Sequence, residues 1–126
     1  MSSEKEKALH KFWNSFGIKA YDETTVPDDA TFPRITYNMA TDSLNNVVSL
    51  HADLWYRSNS WQGVTDLAET IARRIKEHGH VSLPIEGGGY IYLAGGTPFA
   101  QRVDDSDDDS IKRIYINVQA EFLTAY

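Results

Sequence analysis

With 126 residues the chain has room for one domain and one core, and 41% hydrophobic with 24% charged residues is the balance of a globular protein, which excludes wholesale disorder. No apolar run approaches the roughly 20 residues that span a bilayer, and the opening MSSEKEKALHKF has no apolar signal-peptide segment, so a cytosolic protein without membrane contact is expected. Zero cysteines exclude disulfides, thiolate metal sites and cysteine catalysis, and a net charge of −6 argues against a nucleic-acid binder, which presents a basic face to phosphates.

Residues 3–16 have helical spacing. Leu9, Phe12, Trp13 and Phe16 fall on one stripe, Ser2 or Ser3 is placed to cap the helix, and Gly17 is a natural stop. A short strand is expected around Ile18 to Tyr21, then a loop at Pro27, Asp28 and Asp29. After Pro33 the alternation of Ile35, Tyr37 and Met39 against Thr36, Asn38 and Ala40 predicts a strand over 34–42. A turn at Ser43 to Asn46 leads to a longer strand over 47–57, paired with it as an antiparallel hairpin. Val48, Leu50, Ala52, Leu54 and Tyr56 share its apolar face, while Val47, Ser49, His51, Asp53, Trp55 and Arg57 share the other.

Ser60 is the expected cap of a second helix over 61–77, with Val64, Leu67, Ala68, Ile71, Ala72 and Ile75 as its stripe and Gly79 as its end. The remainder reads as β structure. His80 to Glu86 and Tyr90 to Leu93 flank a triple-glycine hairpin tip, and Gly95, Gly96 and Pro98 predict a turn before a short strand over Phe99 to Val103. An acidic loop follows, then a strand over 111–123 with Ile114, Ile116, Val118, Ala120 and Phe122 on one face. The order helix, strands, helix, strands lacks repeated βαβ units. It predicts a single-domain α+β fold over 1–126 with a mostly antiparallel sheet packed by two helices.

Chemistry-bearing motifs are sparse. Asp105, Asp107 and Asp109 copy the opening spacing of an EF-hand, but Ser110 stands where its glycine belongs and Ile116 where its bidentate glutamate belongs. A zinc site needs three or four converging ligands; His78 and His80 are the one close histidine pair, and His51 with Asp53 is a common arrangement on a wet strand face. EGGGYIYLAGGTP has no Walker lysine and sits among strands, and no G-x-S-x-G elbow is present. The reading is therefore a non-enzymatic protein with no catalytic, cofactor-binding or metal residues. What remains is contact surface. Trp55, Arg57 and Trp61 are the candidate subunit-interface residues, since aromatics and arginine dominate interface hot spots. Asp104, Asp105, Asp107, Asp108 and Asp109 form either a solvated hairpin loop or, in an oligomer, a channel-facing or partner-contact acidic ring that repels a polyanion.

Three segments carry a resemblance: YDE at Tyr21 to Glu23 with Val26 and Pro27, P-x-I-T-Y at Pro33 to Tyr37, and LWYRS-x-SW at Leu54 to Trp61. Over about the first two thirds of its length the chain resembles the tail terminator proteins of long-tailed bacteriophages. That likeness implies an α/β or α+β subunit of a hexameric ring in the tail–neck region of the virion, assembled in the host cytoplasm. The ring would cap the tail tube, end its polymerisation and form the head-joining face. Implied partners are other copies of the chain, the tube protein and a neck or head-completion protein, with DNA only as passing cargo. The neighbouring alternatives are another head–tail connector, such as a head-closure or tail-completion protein, and, more remotely, a small metal-dependent hydrolase or a monomeric binding module.

Overall fold

The computed structural model describes residues 4–40, 47–77, 79–104 and 107–123. The proposed caps Ser2 and Ser3, the turn Ser43 to Asn46, His78 and Asp105 lie outside the described residues. Helix α1 (Glu4–Trp13) continues as a 3-10 turn over Asn14–Phe16 and stops at Gly17, whose φ of 88° is the left-handed conformation a glycine adopts at no steric cost. Strands β1 (Ala20–Asp22), β2 (Arg34–Tyr37) and β3 (Val47–Arg57) follow, then helix α2 (Gln62–Lys76) and strands β4 (Val81–Pro84), β5 (Tyr90–Val103) and β6 (Ile111–Leu123). Ser60 Oγ accepts the Gln62 N–H at 3.0 Å, taking up one of the donors that α2 leaves unpaired at its start. Gly79, at φ 83°, donates its N–H to the Lys76 carbonyl at the other end.

The six strands form one sheet in the order β1-β2-β3-β6-β5-β4. Four pairings are antiparallel and β1–β2 is parallel, so the α+β expectation holds with a mixed sheet. The parallel pair arises because the segment between Asp22 and Arg34 returns the chain to the same end of the sheet before β2 begins. Helix α1 touches both border strands, β1 and β4, so the sheet curls around it. Alternation on each strand sends Ile35, Leu54, Ile114 and their row neighbours to one face, where α1 adds Leu9, Phe12 and Trp13 and α2 adds Val64, Leu67, Ala68, Ile71 and Ile75. Both helices cover that face. The core is a single layer between helices and sheet.

β1 begins at Ala20 rather than around the expected Ile18, β4 is confined to Val81–Pro84 within the expected His80 to Glu86, and two further strand assignments differ more from the sequence reading. The strand expected over 34–42 ends at Tyr37, because Asn38 Oδ1 accepts the His51 N–H at 2.6 Å and substitutes a side chain for the next ladder partner. Thr41 and Asp42 lie outside the described residues. The turn expected at Gly95, Gly96 and Pro98 does not separate two strands. β5 runs through it, and five residue steps from Gly95 to Ala100 face only two from Val118 to Ile116 on β6. The long partner strand holds β5 on either side of the excess residues, which are absorbed as a bulge.

Candidate functional site

Among the described residues, no second layer lies on the sheet face away from the helices. Along its rows lie Tyr21, Thr36, Asp53, Tyr115 and Gln101, then Arg34, Trp55, Arg113 and Val103. Most are half-buried because they lean on one another. Trp55 Nε1 donates to Thr36 Oγ1 at 2.9 Å, which explains how Thr36 comes to be buried on the polar side. Arg113 stacks over the Trp55 ring at 4.7 Å and donates through Nε to Asp53 Oδ1 at 2.8 Å. Asp53 is only 5% exposed, so this ion pair is what makes a charge tolerable there. Arg34 lies 4.4 Å from the Phe32 ring centroid and 5.7 Å from that of Trp55.

The predicted interface residues divide between two sides of one end of the molecule. Trp55 belongs to the open face. Trp61, at the start of α2, packs against the core on the helix side, with Arg102 at 4.7 Å and Lys112 at 5.7 Å from its ring. Arg57 is exposed at the end of β3; it stacks over Phe32 at 4.7 Å and pairs with Asp108 at 3.1 Å. The acidic loop is the tip of the β5–β6 hairpin. Asp108 Oδ1 accepts from Ser110 N–H at 2.9 Å and from Ser110 Oγ at 2.6 Å. These bonds and Arg57 hold its carboxyl below the usual range, Ser110 contributing most. Asp104, Asp107 and Asp109 are exposed at the same tip, and Lys112 Nζ bonds the Asp109 carbonyl. The tip is an acidic segment beside a collar of arginines and lysine, with Asp108 internally committed.

Sequence reasoning missed two groupings. On the open face, Glu23, His51 and Asp53 converge until their ligand atoms all lie within 4.8 Å of one another. The two-residue spacing of His51 and Asp53 is visible in sequence, whereas Glu23 arrives only through the parallel β1–β2 pairing. His51 Nε2 lies 2.7 Å from Glu23 Oε1, and the imidazole stacks on Tyr115 at 5.2 Å with 22° between planes. Between α1 and β1–β2, a cleft of about 430 Å³ is lined by Glu6, Lys7, His10, Asp22, Thr25, Tyr37 and Met39. His10 Nδ1 and Tyr37 Oη pair there at 2.9 Å. Burial first, then the charges of Asp22 and Glu6, push the Tyr37 phenol up to about 12.

The chain matches no protein-family model and no curated protein. No helix among the described residues is long and apolar enough to cross a membrane.

Proposed function

We propose that this protein is a structural subunit of a phage tail–neck complex, a ring-forming terminator that caps the tail tube. The observation that carries the reading is the one-sided sheet. Both helices lie on one face, and the other keeps a half-buried comb of Trp55, Arg113, Arg34, His51 and Tyr115 that no other layer among the described residues covers. Aromatic and arginine side chains pre-packed in this way lose little freedom when a partner arrives. The tube-capping role and the sixfold stoichiometry are implied by the resemblance carried by Tyr21 to Glu23, Pro33 to Tyr37 and Leu54 to Trp61.

Capping of this kind works by mismatch. A closed ring needs two different complementary patches on each subunit, because a head-to-tail contact repeats until the rotation closes. One face of the ring complements the last tube hexamer, while the other lacks the surface that receives another tube subunit and instead receives the neck. The open sheet face and the hairpin end with Trp61, Arg102 and Lys112 are chemically unlike surfaces available for such contacts. DNA crosses the lumen as cargo.

The test is to add the purified protein to polymerising tube protein and measure tube lengths and end structures by electron microscopy. The expected result is shorter tubes whose ends carry an added ring. Unchanged lengths and bare ends would exclude the capping role.

A further inference from the structure

We propose that Glu23, His51 and Asp53 form a binding site for a divalent transition-metal ion on the open face of the sheet. The proposal concerns the folded subunit and stands apart from the capping reading. Two segments far apart in sequence deliver the ligands, and both backbones are held. The Glu23 N–H donates to the Tyr37 carbonyl at 2.9 Å, and Asn38 bonds the His51 N–H and carbonyl at 2.6 and 3.0 Å. His51 and Asp53 share a face through the strand's period of two.

The three residues form a graded cup, with Asp53 buried at the floor, His51 half-buried and Glu23 exposed at the rim. Their ligand atoms lie within 4.8 Å of one another. A cation about 2.0–2.2 Å from each donor requires ligand separations of up to roughly 4 Å. His51 Nε2 and Glu23 Oε1 now stand 2.7 Å apart, a hydrogen bond that a bound ion would replace as the exposed Glu23 carboxylate swings aside.

The charge also suits a cation. The carboxylates of Glu23 and Asp53 outnumber the one guanidinium beside them, that of Arg113 on Asp53. Arg113 does not exhaust Asp53, because it engages Oδ1 and a carboxylate accepts at two oxygens. It acts as an outer partner that fixes the carboxylate's orientation, as Tyr115 fixes the imidazole. One nitrogen and two oxygen donors suit zinc, cobalt, nickel or manganese, whereas calcium takes six to eight oxygens. A bound ion would tie the segment after β1 to the central strand β3 and leave coordination positions facing outward for water or a neighbouring donor.

The experiment is a titration of the folded, metal-stripped protein with Co²⁺, read by visible absorption and calorimetry, then displacement by Zn²⁺. The expected result is saturable binding of one ion per chain. His51→Ala and Glu23→Gln should each weaken it at least about tenfold, the scale on which even outer partners act. Glu23 is exposed, so Glu23→Gln keeps the proposal testable if another variant fails to fold; circular dichroism checks this. His80→Ala, outside the cluster, should bind like the parent. No saturable binding by the parent, or binding that persists in both His51→Ala and Glu23→Gln, would overturn the proposal, as would loss of binding in a folded His80→Ala.

Discussion

Asp53 and Arg113 make the sharpest case for what one side chain contributes. The aspartate is almost wholly buried on a face that reads as polar, and the arginine beside it is 31% exposed. Removing the cation alone strands a charge, so Arg113→Met should cost about 2 kcal/mol, below the roughly 3–5 kcal/mol of a fully buried pair because water still reaches the site. The double variant Asp53→Leu with Arg113→Met removes both charges and should lose less than about 1 kcal/mol relative to the parent. Urea unfolding of the three proteins checks the difference; equal losses in single and double variants would deny the pair its role. Tyr37 offers a second test. Its folded pKa of about 12 exceeds the ordinary 10.0, so its contribution is complete below the ordinary value and is lost as pH rises through the folded one. Tyr56 is also raised, by burial and then by Asp66. Phenolate absorbance should therefore show late-titrating tyrosine, reduced in Tyr37→Phe, with about 1 kcal/mol of stability lost through the missing bond to His10. An unchanged titration in that variant would refute the assignment.

Elements whose evidence is periodic were legible in the sequence. The stripes of α1 and α2 and the alternation of β3 and β6 each repeat a burial pattern over several turns or residue pairs, and the core residues they name are buried except Phe16, Val48, Tyr56 and Ala72, which are half-buried. Elements set by a single contact were not. Nothing in Asn38 announces that its side chain will end β2, and the glycines and Pro98 give a turn signal that the partner strand β6 overrules. The same limit hid the Glu23 ligand, since the parallel approach of β1 depends on how the 23–33 segment returns rather than on any local motif. The bulge makes its own prediction. A Cβ at Gly96 would sit 2.6 Å from Asn117 Cγ and 2.9 Å from the Asn117 carbonyl oxygen. Gly96→Ala should thus cost about 1–3 kcal/mol by overpacking. Adding Asn117→Ala removes the side-chain clash and leaves the backbone one, so it should restore only part of the loss in urea unfolding. Full restoration would show that β6 moves to accommodate the methyl group.

For the assembled molecule, the acidic hairpin tip separates charge from shape. Asp108 shapes the tip by accepting two bonds from Ser110, and asparagine keeps an acceptor oxygen in the same place. Asp104, Asp107 and Asp109 are exposed. Replacing these four residues and Asp105 by asparagine should therefore preserve the fold, with the Ser110 amide still protected in hydrogen exchange, while erasing the negative potential of the tip. If the loops of a closed ring face its lumen, the loss of that potential removes the repulsion that keeps a passing polyanion off the wall. Rings should still assemble and cap tubes, and DNA release through particles carrying the variant should slow or stall. Normal release with intact rings would remove the tip from the channel, and loss of folding would show that its charges hold the hairpin itself. The Arg57 pairing makes the last outcome measurable in advance. Arg57→Ala alone should raise the Asp108 pKa toward the ordinary carboxylate value only in part, because the Ser110 bonds that contribute most remain in place.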